Sequence, residues 1–242
     1  MEKQVLGVKI DDITLDEAVN TVEGWLNKGR KYHIVTPNPE FIVAAQSDKK
    51  FKDIINNADL AIPDGAGLRL TGEVKNRVTG MDLMERLVSE AAQKDFSIGL
   101  LGGRDTVAQK SARALQKKYP KLTITFAQEG GEAVTSSGET VSLLLGIIPP
   151  TDILFVAFGH PKQEKWIAGN LENIPVKVAM GVGGAFDYIS GQVPRAPKII
   201  RDLGFEWLFR LIMQPWRIKR QLALLEYVWL LTRERLGMIS SR

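Results

Sequence analysis

The chain has 242 residues, 44% hydrophobic and 25% charged, which is typical of a folded globular protein and excludes a disordered or fibrous one. It has no cysteine, which excludes disulfides, thiolate metal sites and a thiol nucleophile. The net charge is +4, and residues 1–5 lack the apolar block of a secretory signal, so we expect a protein that stays in the cytoplasm. The length favours one domain with an appendage.

In chain order, residues 1–194 alternate short β-branched runs with helical patterns, which predicts an α/β fold with a Rossmann-like sheet sandwiched by helices. The predicted strands are residues 5–10, 33–36, 60–62, 96–101, 122–126, 153–157 and 176–180. The predicted helices are residues 15–28, 81–94, 106–118, 140–145 and 161–171. Thr14 and Glu17 form a capping box at the first helix, and Gly29 lies where its C-cap is expected.

The pattern changes after residue 194, where strand signals stop and Trp, Leu and Arg interleave. Residues 195–242 hold ten basic and four acidic residues, so this segment carries an excess of positive charge and the rest of the chain a small negative excess. A basic segment on a near-neutral body indicates an anionic partner. We therefore predict two parts, an α/β body of residues 1–194 and an amphipathic C-terminal appendage of residues 195–242.

The appendage has two interpretations when its residues are considered alone. Glu206, Arg210 and Glu226 are among the charges that interrupt every stretch long enough to span a bilayer. The segment either lies in the headgroup plane of an anionic membrane surface or packs its apolar face on the body as ordinary terminal helices. Nucleic acid is the partner it fits least, because no base-reading motif accompanies the basic residues.

Polar side chains follow two of the predicted strands, at the edge where open α/β sheets bind ligands. Thr36 and Asn38 lie between prolines after one strand, and Asp64 precedes a glycine after the next. Taken by itself, each segment is better explained as a structural turn. Together they are candidates for a site.

Two other loops at this edge are rich in glycine. Gly102 and Gly103 lead from a strand into a helix, and Gly183 and Gly184 follow the last predicted strand. Without Cβ atoms such backbone can approach a phosphate at a helix N-terminus, so a phosphate site is one hypothesis. An NAD enzyme is disfavoured, because Phe186 stands where a dinucleotide fingerprint needs a third glycine.

Several chemistries lack their motifs in this sequence. There is no Gly-Lys-Ser/Thr phosphate loop, no Gly-x-Ser-x-Gly elbow and no paired-His zinc motif. His33 and His160 are the only histidines, and no Asp-x-Asp pair could hold a metal on a nucleotide diphosphate. We therefore expect no metal and no cofactor, and any departing diphosphate must be neutralised by Arg, Lys or helix termini.

These loops together resemble the WecG/TagA/CpsF glycosyltransferase family. The resemblance rests on Thr-Pro-Asn (36–38), Pro-Asp-Gly (63–65), Arg-Val-Thr-Gly-Met-Asp (77–82), Leu-Gly-Gly (101–103), Phe-Gly-His-Pro-Lys-Gln-Glu (158–164) and Gly-Val-Gly-Gly-Ala-Phe-Asp (181–187). It continues through Gly-Gln-Val-Pro-Arg-Ala-Pro (191–197), Glu-Trp-Leu-Phe-Arg (206–210) and Pro-Trp-Arg (215–217), and so covers nearly the whole chain.

The resemblance implies an inverting, metal-independent enzyme, peripheral on the inner face of the cell membrane. Its branch of the family transfers N-acetylmannosamine from UDP-ManNAc to undecaprenyl-diphosphate-GlcNAc, in synthesis of the wall teichoic acid linkage unit. The implied general base is Asp64, which takes the proton of the acceptor hydroxyl. Thr36 and Asn38 are implied to orient the sugar or its phosphates.

Further roles are implied by the same resemblance. Gln163 matches a sugar-contacting position, Asp187 one suited to the uracil edge, and Arg77 a residue that lines the pocket. The appendage is expected to fold over the pocket and to offer three arginines to the diphosphate in place of a metal, namely Arg210, Arg217 and Arg220. Whether these arginines bind the diphosphate or anionic lipid stays open at this point.

Three alternatives to the complete assignment also stay open. Other members of the family use UDP-ManNAcA or UDP-glucose as donor, and the sequence does not distinguish these donors. A non-catalytic nucleotide- or lipid-binding scaffold is the rival from outside enzymes. Self-association through the apolar appendage is a further alternative for that surface.

Overall fold

The computed structural model describes residues 1–130 and 148–238, without the side chains of residues 217 and 219–221. Its strands are β1 (Glu2–Val5), β2 (Val8–Asp11), β3 (Tyr32–Val35), β4 (Leu60–Ala61), β5 (Ser97–Gly102), β6 (Thr123–Gln128), β7 (Thr151–Ala157) and β8 (Val176–Gly181). Its helices are α1 (Leu15–Leu26), α2 (Pro39–Ser47), α3 (Lys49–Asn56), α4 (Gly80–Lys94), α5 (Val107–Lys118), α6 (Lys162–Asn170), α7 (Ala185–Ile189), α8 (Lys198–Asp202), α9 (Glu206–Met213) and α10 (Ile218–Arg235). The helix predicted at residues 140–145 lies outside the described residues.

Within the described residues, six strands form one parallel sheet in the order β4-β3-β8-β7-β5-β6. Parallel neighbours need crossover connections, and helices supply them along the chain. The Rossmann-like α/β fold predicted from the sequence is confirmed. All carboxyl ends of these strands lie at one edge of the sheet.

Successive residues of the central strands face opposite sides of the sheet. In β3, Ile34 packs into a core with α1, α4, α5 and α7, whereas Val35 packs into a second core with α2 and α3. Phe155 and Val156 of β7 divide in the same way, the latter meeting α6. Both faces of the sheet are therefore covered, which is why its strands are continuous apolar runs without alternation.

The C-terminal helices contact the body. Tyr227 and Leu231 of α10 are buried in the core formed by α2, α3 and the β1–β2 hairpin, and α10 packs along α2. One face of α10 thus packs on the body, as in an ordinary terminal helix. The division of the chain at residue 194 stays a prediction.

The N-terminal segment departs from the predicted strand at residues 5–10. Leu6 and Gly7 have φ angles of 51° and 73°, which turn the chain back on itself and produce the antiparallel β1–β2 hairpin instead. The capping box at α1 is confirmed, since the backbone N–H of Thr14 donates to Glu17 at 2.7 Å and that of Glu17 to Thr14 at 3.3 Å. The helix ends at Leu26, so the C-cap expected at Gly29 was wrong.

Two helices, α2 and α3, occupy residues for which the sequence predicted none. A single residue explains their division, because Asp48 is the C-cap of α2 and its side chain accepts from the backbone N–H of Phe51 at 2.9 Å as the N-cap of α3. Neither helix is long enough for its apolar period to stand out in the sequence.

Candidate active site

Loops that follow β3, β4, β7 and β8 meet at the carboxyl edge of the sheet. The backbone N–H of Asp64, after β4, donates to the carbonyl of Pro37, after β3, at 2.9 Å. Gly65 faces Asn38, because a Cβ placed on that glycine would lie 3.9 Å from the Cβ of Asn38. The fold thus brings the two predicted polar loops together.

Asp64 lies at the N-terminus of α4. Its carboxylate accepts a hydrogen bond from the backbone N–H of Gly80, the first residue of that helix. Val78 anchors the same turn, since its backbone N–H donates to the carbonyl of Pro63 at 3.0 Å. A helix N-terminus offers free amides and partial positive charge, so the position favours a negative group.

The surroundings of Asp64 give its carboxyl a pKa of about 7. Burial is the largest cause, because a carboxylate loses hydration there, and the negative charges of Glu206 and Asp82 add to it. Arg77 and the N–H of Gly80 act in the opposite direction and lower the pKa. A carboxyl that titrates near neutrality at a ligand-binding edge is suited to accept a proton during a reaction.

The polar residues after β3 line the loop beside Asp64. Asn38 is the N-cap of α2, and its Oδ1 accepts from the backbone N–H of Phe41 at 3.1 Å. Thr36 is buried, and its methyl group is so close to Gly80 that a Cβ there would lie 3.1 Å away. Both residues shape the backbone around Asp64, and their predicted contacts with the sugar stay predictions.

Gln163 joins the loops after β7 and β8. Its Oε1 accepts from the backbone N–H groups of Gly159 at 3.1 Å and Gly183 at 3.0 Å. Its Nε2 donates to Oε1 of Glu164 at 2.7 Å, and both side chains are buried. The amide of Gln163 therefore holds the site together in this structure, and the sugar contact expected of it stays a prediction.

Glu164 has a position that the sequence analysis missed. Burial raises the pKa of its carboxyl to about 7, although the hydrogen bond from Gln163 opposes this, and its Oε2 has no hydrogen-bond partner among the described residues. A Cβ on Gly181 would lie 2.7 Å from Oε1 of Glu164, so the end of β8 packs closely against this carboxyl group. The only signal in the sequence was its place beside Gln163.

The two glycine-rich loops use their glycines differently. At Gly102, with a φ of 110°, a Cβ would lie 2.7 Å from the backbone of Ala157, so this glycine lets β5 and β7 approach closely. A Cβ on Gly103 would lie 3.3 Å from Val107. Gly183 faces open space, whereas a Cβ on Gly184 would overlap the guanidinium of Arg210. The phosphate role predicted for all four stays a prediction.

Arg210, on α9, reaches the loop after β8. Its Nη2 lies 3.3 Å from Oδ2 of Asp187, and its guanidinium lies over the ring of Tyr188, 4.8 Å from the centroid. Arg77 also contacts the appendage, since it donates to the carbonyl of Arg201 at 2.7 Å. The appendage thus contacts two of the predicted body residues. The side chains of Arg217 and Arg220 lie outside the described residues.

The exposed apolar surface is concentrated in the appendage. Of the seventeen large apolar side chains exposed among the described residues, fifteen lie between residues 199 and 238, on or beside α8, α9 and α10. Trp229 and Leu225 of α10 and Ile212 of α9 are examples. No helix in residues 1–130 and 148–238 combines the length and apolar character that a membrane span requires.

Two further features concern ligand sites in the described residues. They contain no cluster of three His, Asp or Glu side chains arranged to hold a metal ion. An open cavity of about 530 Å³ is lined by Lys31, His33 and Asp59 among others. It lies at the amino ends of the strands and contains none of the predicted site residues.

The sheet, its polar carboxyl edge and a carboxyl of raised pKa define a Rossmann-like α/β protein with a candidate nucleotide site at that edge. The sequence profile of the glycosyl transferase WecG/TagA/CpsF family matches residues 3–240. The chain therefore belongs to the WecG/TagA/CpsF family, and the predicted class of enzyme, a glycosyltransferase, is confirmed.

Similar proteins from two genera carry the same enzyme name. The chain is 33% identical over 223 residues to the N-acetylglucosaminyldiphosphoundecaprenol N-acetyl-beta-D-mannosaminyltransferase of Staphylococcus aureus (strain MRSA252), covering 89% of this chain and 86% of the relative. It is 34% identical over 206 residues to the enzyme of that name from Bacillus subtilis (strain 168), covering 83% and 79%.

Proposed function

We propose that the protein transfers N-acetylmannosamine from UDP-ManNAc to undecaprenyl-diphosphate-GlcNAc, as in synthesis of the wall teichoic acid linkage unit. The names of the two relatives support the sugar and the lipid-linked acceptor. The observation that carries the proposal is the position of Asp64, a carboxyl of pKa about 7 at the carboxyl edge of the sheet, beside the appendage.

The proposed chemistry is a single displacement with inversion. Asp64 takes the proton of the acceptor hydroxyl while the hydroxyl oxygen forms a bond to the anomeric carbon of the donor. The bond from that carbon to the β-phosphate oxygen breaks on the opposite side, and UDP leaves with the electron pair. The proton on Asp64 then passes to solvent.

The leaving UDP carries negative charge that cationic groups must stabilise. We assign this role to Arg210, Arg217 and Arg220 of the appendage and to the backbone of Gly183 and Gly184. The contact of Arg210 with Gly184, in a loop that is also assigned to the phosphates, supports this for one of the three. The reaction in this proposal needs no metal.

The remaining predicted residues surround the donor in this proposal. Asp187 is assigned to the uracil edge, Thr36 and Asn38 to the sugar or its phosphates, and Arg77 to the wall of the pocket. Gln163 fixes the two loops that hold Gly159 and Gly183. Gly102 and Gly103 are assigned to the phosphates through their backbone.

The appendage is proposed to dock on the inner face of the cell membrane, where the lipid-linked acceptor resides. Its exposed apolar side chains, together with its excess of basic residues, are the combination that binds an anionic lipid surface. The body and appendage divide near residue 194 in this proposal, and the protein is peripheral. Self-association is the competing use of the same surface.

A transfer assay tests the proposed function. Purified Asp64→Asn is compared with wild type using UDP-ManNAc and a lipid-diphosphate-GlcNAc analogue, with and without EDTA. We expect a loss of transfer of about a hundredfold or more with UDP binding retained, and no effect of EDTA. Asp16→Asn, at an exposed position on α1, is the matched control. Full activity of Asp64→Asn, or inactivation by EDTA, would overturn the mechanism.

Competition between donors tests the substrate. UDP-ManNAcA and UDP-glucose are added against labelled UDP-ManNAc, and we expect only unlabelled UDP-ManNAc to compete effectively. Preferential use of either rival donor would show that the proposed donor sugar is wrong, but it would not affect the assignment of the chain to the family. Binding of UDP without transfer to any acceptor would instead favour a non-catalytic scaffold.

A further inference from the structure

The turn between α8 and α9 lies directly on the residues that follow Asp64. Gly204, in that turn, has a φ of 82°, and a Cβ placed on it would lie 2.8 Å from the Cβ of Ala66. Arg77 ties the same region to the body through its hydrogen bond to the carbonyl of Arg201. The start of α9, with Glu206, is thereby held near the proposed base.

One guanidinium connects α9 to α4. Arg195 contacts Asp82 through Nη2 at 2.5 Å, Glu85 through Nη1 at 3.0 Å and Glu206 through Nε at 3.4 Å. Its side chain is only 15% exposed, so these pairs are screened less than surface pairs. Arg201 adds a second cation 3.6 Å from Asp82. The arrangement holds the carboxylate of Glu206 against the N-terminal turns of α4.

These charges act on Asp64 in a definite way. After burial, Glu206 is the largest contribution that raises the pKa of Asp64, and Asp82 is the next, while Arg77 and the N–H of Gly80 lower it. A negative charge nearby makes loss of the proton from Asp64 less favourable. Glu85, which the same Arg195 binds, lies about one turn further along α4 than Asp82.

Asp82 stays negatively charged in this arrangement. Burial opposes its ionisation, but hydrogen bonds from Thr79 and Arg195 outweigh burial and lower the pKa of Asp82 below its ordinary value. Asp82 belongs to the body, on α4, whereas Arg195 is the first residue of the appendage. Glu206, by contrast, is a charged neighbour of Asp64 that lies on α9, in the appendage.

We propose that Glu206 is a positioning residue for the transfer: the appendage brings its carboxylate next to Asp64, and Arg195 holds it there. The inference rests on the proposed function in one respect, that Asp64 is the base. Docking of the appendage then makes Asp64 a stronger base, and an undocked appendage leaves a weaker one. The reaction is in this way coupled to the position of α9.

The direct test measures the protonation of Asp64 in the full chain without substrate. Carboxyl ¹³C signals of ¹³C-aspartate-labelled protein are titrated, and the signal of Asp64 is assigned by its loss in Asp64→Asn. Glu206→Gln removes one charge at nearly constant shape, and we expect the pKa of Asp64 to fall by about one unit. Glu85→Gln is the matched control, since it removes an equivalent partner of Arg195, and we expect no comparable fall.

Kinetics test the link to the reaction. In Glu206→Gln the acidic limb of the kcat/KM profile shifts to lower pH by about one unit, and the plateau above it falls several-fold because the base is weaker. Glu206→Asp keeps the charge and retains the limb near its wild-type position. A purely structural loss would lower the rate without moving the limb.

The outcomes separate this inference from the proposed function. An unchanged pKa of Asp64 in Glu206→Gln, or an equal fall in Glu85→Gln, overturns the role of Glu206 whatever the activity. A shifted pKa with full activity of Asp64→Asn shows that Glu206 tunes Asp64 but that Asp64 is not the base, and the positioning role then fails for the reaction. A shifted pKa with a shifted limb supports both.

Discussion

The guanidinium of Arg210, on α9, lies 3.3 Å from the carboxylate of Asp187, on α7. The pair joins the appendage to the loop after the last strand. Because Gly184 has no side chain, the guanidinium also lies directly against the backbone of that loop. A cation is therefore already in place where the proposal puts the diphosphate.

Replacing Arg210 should reduce transfer more than it reduces stability. For Arg210→Ala we expect kcat/KM to fall about a hundredfold, as is usual when a donor to a developing negative charge is removed. Arg210→Lys should recover only part of this, since an ammonium lacks the planar fork of donors. Arg233→Ala, which removes an arginine stacked on Trp229 of α10, is the control and should stay near wild type.

The transfer rate should depend on pH through Asp64. The base must be ionised to accept a proton, and the pKa of Asp64 is about 7. Below that value kcat/KM should fall about tenfold for each pH unit, and above it the rate should level off. The profile is measured from pH 5 to pH 9 by release of UDP. A limb centred near pH 4 would contradict the raised pKa.

Glu164 should make the free energy of unfolding depend on pH. Its folded-state pKa of about 7 exceeds its ordinary value of 4.5, so the carboxyl favours folding at low pH and loses this as pH rises towards and through 7. As the pH rises from 5 to 8, the free energy of unfolding of Glu164→Gln should increase by up to about 3 kcal/mol relative to that of the wild type. Urea unfolding of both proteins at the two pH values measures this difference. Glu172→Gln, at an exposed position, is the control and should gain nothing.

Gly204 should be more sensitive to substitution than another glycine of the same conformation. Gly204→Ala and Gly72→Ala, with φ angles of 82° and 80°, both introduce strain of about 1–2 kcal/mol. Only the Cβ at position 204 meets a neighbour, Ala66. We therefore expect kcat/KM to fall about tenfold or more in Gly204→Ala alone, since α9 is displaced from the site. Equal losses in the two variants would argue against close docking of the appendage.

Substitutions on the exposed face of the appendage should weaken membrane binding. Ile212 and Leu225 are 68% and 70% exposed, and together as Ile212→Ser and Leu225→Ser they should reduce affinity for phosphatidylglycerol-containing vesicles about a hundredfold. Leu70→Ser, at an exposed apolar position of the body, is the control. If the wild type is an oligomer, the double variant is a monomer and vesicle binding is unchanged, the surface serves self-association instead of membrane binding.

The sequence was sufficient to predict the location of the candidate site but not the contacts within it. Asp64 and Asn38 follow neighbouring parallel strands, so the topology alone brings their loops to one edge. The neighbours that set the pKa of Asp64 could not be predicted, because Glu206 is 142 positions away in the chain and meets it only through tertiary packing.

Local sequence patterns do not predict the structure where one pattern is compatible with two physical causes. The sequence around Gly102 predicts a phosphate-binding loop, but contact with the backbone of Ala157 already requires a residue without a side chain at this position. The turn at Leu6 could not be predicted from its residue type, since leucine rarely adopts a positive φ and is held there by its burial. In both places packing decided what composition left open.

The burial of Tyr227 among α2, α3 and the N-terminal hairpin has a consequence for synthesis of the chain. The first and last parts of the sequence share one core, so its apolar residues near the N-terminus have no complete partner until α10 has left the ribosome. Contacts of such long sequence separation form late in folding. The nascent chain therefore completes this core only after α10 has been translated.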